Sequence, residues 1–158
     1  MQKKDFRKHF LFYLHFFSFF YKKKEIKKTK RNKKMHINYK IGDKDIRPWG
    51  TWETIDIGET YIIKKIIVNP YQALSLQMHT HRNEHWIMVQ GSGFITLGEN
   101  TLTLSENNSL YIPKQTKHRI ANKTNKPICF IEIQTGNILD ENDIIRFSDI
   151  YGRLTKND

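Results

Sequence analysis

The residues best suited to chemistry lie in one stretch, Ser75-Leu76-Gln77-Met78-His79-Thr80-His81-Arg82-Asn83-Glu84-His85-Trp86, which holds three of the seven histidines. Imidazole and carboxylate side chains bind divalent metals and move protons near neutral pH. Side chains on a strand alternate between faces, so Ser75, Gln77, His79 and His81 point one way and Leu74, Leu76 and Met78 the other. A polar row backed by an apolar row is the pattern of a strand that lines a polar pocket. After a brief turn, the next strand can return Glu84 to the same pocket. The segment 111–122 adds His118 from a distant strand. Two readings fit: a metal centre, or histidines that satisfy hydrogen bonds in a polar pocket.

Positioning these side chains takes a rigid frame, and from residue 52 onward the sequence reads as short strands. Apolar alternation predicts them at 52–57, 61–68, 74–81, 84–90, 94–97, 101–104, 110–112, 117–121 and 128–134. Turn signals such as Asn69-Pro70, Gly91-Ser92-Gly93 and Gly98-Glu99-Asn100 separate them. Many short strands at this spacing predict an all-β antiparallel sandwich or barrel. The tail 140–151 is expected to form a short helix, with Asp140 as its cap and acids in its first turn. Cys129 is the single cysteine, so no intrachain disulfide forms. That suits a reducing cytoplasm, and its apolar setting, Ile128-Cys129-Phe130-Ile131, reads as core packing.

The formal charge of +11 would point to nucleic acid or an acidic membrane surface, were it spread over the chain. It is not. Residues 1–34 hold 13 Lys/Arg and 2 Asp/Glu, whereas residues 35–158 hold 14 of each class and are balanced. The leader, an aromatic run over 10–21 followed by a lysine-rich stretch over 22–34, is too short and interrupted for a spanning helix. Its flanks do not suit a secretory signal. The expectation is one domain over 35–158, with 1–34 a disordered or helical leader outside the fold and Met35 the working start. A nucleic-acid partner and stable membrane insertion are not expected.

The two chemical segments resemble the paired motifs of the cupins, which implies a double-stranded β-helix, or jelly-roll barrel. The first motif carries a paired ligand position, a glutamate and flanking glycines; the second a glycine, Pro-x-Gly, a histidine and an asparagine. Two registers compete. With His79 and His81 as the pair, Glu84 falls one residue early and the leading glycine position is Ala73. With Gln77 and His79 as the pair, every later spacing fits through Glu84 to Gly91, and the leading glycine position is Tyr71. The second register is preferred. Pro113, His118 and Asn122 match the second motif, while Asn107 and Gln115 stand where glycines are expected. The resemblance thus implies Gln77, His79, Glu84 and His118 as ligands of a divalent metal, Zn²⁺ or alternatively Mn²⁺, Co²⁺ or Fe²⁺. His81 is a further ligand, a supporting group or a catalytic one.

Within the cupins, Gln77-x-His79-x-His81-Arg82-x-Glu84-His85-Trp86 is similar to the signature of the type II mannose-6-phosphate isomerases. So are Arg47-Pro48-Trp49-Gly50, Ile131-Glu132-Ile133-Gln134-Thr135-Gly136 and the run from Asp143 to Arg153. This resemblance implies interconversion of mannose 6-phosphate and fructose 6-phosphate. In that family the module is commonly half of a bifunctional protein, whose guanylyltransferase half has no counterpart in residues 1–34. Transferase activity is therefore not expected of this chain, and a separate guanylyltransferase is a candidate partner. Arg82 is the first candidate for contact with the reacting oxygens. His81 and His85 are the candidate bases, although alternation turns His85 away from Glu84. Arg47, Lys64, Glu132, Gln134, Arg146 and Arg153 are candidate substrate contacts; Arg146 and Arg153 are equally suited to salt bridges with Asp143 and Asp149. Trp49 and Trp86 read as packing rather than sugar-stacking residues. A homodimer is the expectation from the superfamily. The competing readings are a non-catalytic sugar-phosphate-binding cupin, a remnant of a bifunctional enzyme, and another metal-cupin activity such as a dioxygenase or epimerase.

Overall fold

Thirteen strands build the chain in a computed structural model that describes residues 36–37 and 39–153. The leader over 1–34 and the expectation about Met35 lie outside the described residues. In order, the strands are β1 (His36–Ile37), β2 (Lys44–Arg47), β3 (Gly50–Ile57), β4 (Tyr61–Val68), β5 (Leu76–His79), β6 (Arg82–Gln90) and β7 (Ser92–Leu97). They continue with β8 (Asn100–Ser105), β9 (Ser109–Ile112), β10 (His118–Ala121), β11 (Ile128–Gly136), β12 (Ile138–Leu139) and β13 (Ile144–Ser148). One sheet runs β2-β3-β4-β11-β6-β9 and the other β13-β5-β10-β7-β8, all antiparallel, while β1 and β12 form a small parallel pair. This is the cupin jelly roll that the motifs imply. Among the described residues no helix is long and apolar enough to cross a membrane.

Three long strands carry the frame, and their registers explain both core and pocket. Strands β4 and β11 are rich in β-branched residues, which suit a pleated, half-buried surface. Their inward rows align with that of β6 in rungs. Ile66, Phe130 and Met88 form one rung, Lys64, Glu132 and Trp86 the next, and Ile62, Gln134 and Glu84 the one after. The inward rows of β11 and β6 thus pass from apolar to polar along the strand, and that of β4 carries Lys64 between Ile66 and Ile62. The apolar end packs with Val68, Ile95, Ile112 and Ile120 into the core. The polar end has no packing reason to be there.

Two expectations change. The tail is not a helix beyond a single 3-10 turn, Glu141–Asp143, although Asp140 does cap it, accepting from the Asn142 N–H at 3.0 Å. The β-branched pair Ile144-Ile145 then enters β13, which pairs with β5. An available sheet edge outweighs the weak helical preference of the tail. Strand β5 also ends at His79 rather than His81, because the chain bends at Thr80 and His81.

The loops show why the motif spacing holds despite its missing glycines. Tyr71, Asn107 and Gln115 have φ of 59°, 65° and 62°, and no other non-glycine among the described residues has positive φ. All three stand where the preferred register puts glycine, and Ala73, the glycine position of the rival register, is not left-handed. The loops keep the conformation and bear its strain. Gly50 in the Arg47-Pro48-Trp49-Gly50 segment is required by closeness: a Cβ there would lie 1.9 Å from the Ile67 carbonyl oxygen.

Left-handed backbone costs an ordinary residue roughly 1–2 kcal/mol, while glycine returns about 0.5–1 kcal/mol through its freer unfolded chain. Gln115→Gly should therefore stabilise the protein by about 0.5 kcal/mol in urea unfolding. Asn107→Gly should change less, since asparagine tolerates this region. A Gln115→Gly variant less stable than the parent would contradict the account.

Candidate functional site

Strands β5, β6 and β10 bring His79, Glu84 and His118 together at the polar end, each 1% exposed, with their ligand atoms all within 4.8 Å of one another. The tautomers follow from the backbone. His118 Nδ1 lies 2.8 Å from the Thr116 carbonyl and His79 Nδ1 lies 3.3 Å from that of Asp143. A carbonyl only accepts, so each Nδ1 carries the proton and each Nε2 presents a lone pair toward Glu84. The distances there are 3.1 Å from His79 Nε2 to Oε1 and 3.4 Å from His118 Nε2 to Oε2. His118 Nε2 has no hydrogen-bond partner among the described residues. Lone pairs converging on a carboxylate, with each opposite ring nitrogen held by a carbonyl, fit a divalent cation. Gln77 is in register with His118 across β5 and β10, and its Oε1 accepts from Ser75 Oγ at 3.0 Å.

Arg82 is buried, at 3% exposure, rather than a surface residue at the turn. Its Nε donates to Glu84 Oε1 at 3.0 Å, one amino group to His79 Nε2 at 3.2 Å and the other to the Asp140 carbonyl at 3.2 Å. Burial alone would raise the Glu84 carboxyl, but His79, Arg82 and His118 outweigh it and hold it well below the usual range. Burial lowers His79, whereas the nearby Glu84 carboxylate outweighs burial at His118 and raises it.

Arg82 opens onto a pocket that Gln77 also lines. All six expected substrate contacts reach it: Arg47, Lys64, Glu132, Gln134, Arg146 and Arg153. Glu132 accepts from Gln134 Nε2 at 2.6 Å and from Trp86 Nε1 at 3.1 Å, and the same indole N–H is 3.1 Å from Glu84 Oε2. Burial, then the Glu84 charge, pushes Glu132 up to about 7, with Arg82 and Lys64 acting against it. Of the adjacent pair, Lys64 faces inward and Lys65 outward. Burial lowers Lys64, whose ammonium is 3.0 Å from Glu141 Oε1 and lies over the rings of Tyr39 and Trp52. Tyr39 also donates to Glu141. Burial acting upward at Glu141 is overcome by Lys64 and Tyr39, which bring it down to about 2.

One of the expected salt bridges forms. Arg153 forks onto Asp149 at 2.6 and 3.0 Å, and Arg47 pairs with Asp45 at 2.8 Å. Asp143 pairs with neither; it accepts from the backbone N–H groups of Thr80 and His81 at 3.0 Å each and so fixes the bend after β5. Burial lowers Arg146, and the nearby charges of Arg153 and Arg47 lower it further.

His81 and His85 are not brought to the pocket. The bend at Thr80 and His81 exposes His81, and His85 alternates outward to stack on Tyr111 with ring centroids 4.7 Å apart. Three participants were missed in the sequence. Glu141 read only as a helix-start acid, Tyr39 was not singled out, and Trp86 read as packing without its two carboxylate partners. Lys64 and Glu141 are 77 residues apart, so no local pattern could pair them.

Residues 30–149 match the family described as "Mannose-6-phosphate isomerase C-terminal". The chain is 50% identical over 107 residues to the xanthan biosynthesis protein XanB of Xanthomonas campestris, covering 68% of this chain and 23% of that protein. It is 44% identical over 108 residues to the mannose-1-phosphate guanylyltransferase ManC of Salmonella typhimurium, covering 68% and 22%. The chain thus spans under a quarter of the length of these relatives. Its fold is similar to that of the oxalate decarboxylase of Lactobacillus farciminis, with a TM-score of 0.59 at 19% identity over 66% of this chain and 33% of that one.

Two outcomes are expected. Zn²⁺ or Mn²⁺ added to EDTA-treated protein should raise its Tm, and His118→Ala should abolish that rise; equal shifts in both would exclude the His–Glu–His site. In metal-free protein the folded pKa of Glu132, about 7, lies above its ordinary value of 4.5. The fold then holds the proton longer than the unfolded chain, so stability should fall as pH rises from 4.5 to about 7. Glu132→Gln should flatten that decline in denaturant titrations across this window.

Proposed function

The chain belongs to the mannose-6-phosphate isomerase C-terminal family, and on that premise we propose that it is a divalent-metal-dependent isomerase interconverting mannose 6-phosphate and fructose 6-phosphate. The observation that carries this reading is one pocket containing Arg82, in contact with the His79–Glu84–His118 cluster, together with Arg47, Arg146 and Arg153. An aldose–ketose isomerase acting on a sugar phosphate needs both ends. A cation held by His79, Glu84 and His118, with Gln77 as a further donor, would supply Lewis acidity at the sugar carbonyl.

The chain's own residues do the rest. Arg82 is fixed by three partners and has guanidinium N–H groups left for an oxygen that gains negative charge during the reaction. Arg146 lines the pocket together with Arg47 and Arg153, and planar guanidinium forks suit phosphate oxygens. Asp149 and Asp45 hold Arg153 and Arg47 in place while leaving the group net positive. Lys64 and Gln134 offer donors to the sugar hydroxyls between the two ends.

The test is a coupled assay for fructose 6-phosphate formed from mannose 6-phosphate, using protein stripped with EDTA and resupplied with Zn²⁺, Mn²⁺ or Co²⁺. Metal-dependent turnover is expected, lost in His79→Ala and reduced about 10²–10³-fold in Arg82→Lys. A folded protein without turnover on any of these metals would overturn the assignment.

A further inference from the structure

We infer that Glu132 is the base that carries the carbon-bound proton between the two reacting carbons, an inference that rests on the isomerase reading. The pocket narrows the choice. No histidine is among the described residues that line it, and its carboxylates are Glu132 and Glu141. Glu141 is held by Lys64 and Tyr39 and its side chain is 43% exposed. Glu132 is 4% exposed and rigidly placed, one carboxylate oxygen bound by Gln134 and the other by Trp86.

The Trp86 N–H decides the placement. It stands between Glu132 and Glu84 and is 3.1 Å from an oxygen of each. One indole nitrogen therefore fixes the base relative to the carboxylate of the metal-binding cluster. Glu132 is thus the pocket carboxylate tied through Trp86 to the residues that would hold the cation. The groups facing Glu132 are Glu84, Arg82 and Trp86 from β6, Lys64 from β4, Gln134 on its own strand, and at longer range His118 and Tyr39. Burial and Glu84 bring its affinity for protons near neutrality, where a general base works best.

The step balances without a co-reactant. Glu132 takes the hydrogen on C2 of the open-chain aldehyde as a proton; the C–H electron pair becomes the C1–C2 double bond and the carbonyl pair moves onto O1. The hydroxyl proton on O2 passes to O1. Glu132 then returns its proton to C1 as the C2 carbonyl forms, and its charge is restored.

The experiment uses the full chain loaded with a metal that supports turnover. Glu132→Gln should lower kcat by about 10²–10⁴-fold and abolish deuterium wash-in from D₂O at C1 of fructose 6-phosphate. Binding of fructose 6-phosphate, followed by calorimetry, should change little. Glu132→Asp keeps a carboxylate, and should recover measurable wash-in and guard against a folding defect in the amide variant. His81→Ala with His85→Ala should leave turnover within a few-fold of the parent. Wash-in that persists in Glu132→Gln, or binding lost together with turnover, would overturn the assignment of the base and leave the isomerase reading intact. A parent protein that neither turns over nor exchanges deuterium would overturn both.

Discussion

The charge of Glu84 is sealed from water, and the polar end of the fold is arranged around compensating it. A lone buried carboxylate would take a proton rather than stay ionised. Glu84 stays ionised because Arg82, two positions earlier on the same strand, turns back to donate to it, while His79 and His118 approach from the opposite sheet. Each of these partners is oriented by a backbone carbonyl: Asp140 for Arg82, Asp143 for His79 and Thr116 for His118. The loops that bear those carbonyls are therefore as necessary to the site as the side chains. The turn Glu141–Asp143 has a double part, since Asp143 also ties down the backbone at Thr80 and His81.

The two sheets make different contributions. Strands β4, β11 and β6 hydrogen-bond along their full length, so the rungs from Phe130 to Glu132 to Gln134 are spaced by the pleat and cannot slip without turning the core outward. That rigidity fixes Lys64, Glu132 and Glu84 relative to one another. The other sheet is more broken at this end: β5 and β10 are short and β13 pairs with a register shift. It supplies the imidazoles and, through β13, Arg146. A stiff wall thus holds the acids and lysine, and a loop-tethered wall brings the histidines and arginine to meet them.

Much of this was legible in the sequence because it depends on period two and on motif spacing. The nine strand cores, the opposite facing of Lys64 and Lys65 and the outward His85 all follow from alternation. The register of Gln77, His79, Glu84 and His118 followed from the resemblance to the cupin motifs and their spacing, and the left-handed backbone at Tyr71, Asn107 and Gln115 explains how that spacing fits a chain lacking the glycines. What alternation could not reveal was where a strand stops. His81 was placed beside His79 because β5 was extended through a bend, and the bend is set by Asp143, more than sixty residues away. Separation along the chain likewise hid Glu141 and Tyr39 as partners of Lys64. The expected tail helix failed for a related reason: a local cap was read correctly, but the sheet edge that captures Ile144 and its followers is a tertiary feature.

The polar rungs also carry an argument from cost. Lys64, Arg82, Glu84, Glu132 and Gln134 are nearly sealed from water, on strands whose neighbouring rungs are aliphatic and aromatic. Apolar residues of similar volume would pack there with less desolvation, and replacing buried ion networks in that way is often neutral or stabilising. The fold does not need these charges, because the rung of Ile66, Phe130 and Met88 and the cluster around it already supply a continuous core. Nor are they simply paired off. Glu132 faces a second carboxylate, and His118 presents a lone pair to Glu84. On the proposed reading, a cation at the histidines and a proton at Glu132 would ease both. Arg82 and Trp86 join the histidine cluster to the pocket that Glu132 lines, an arrangement that a binding reaction would explain and packing would not.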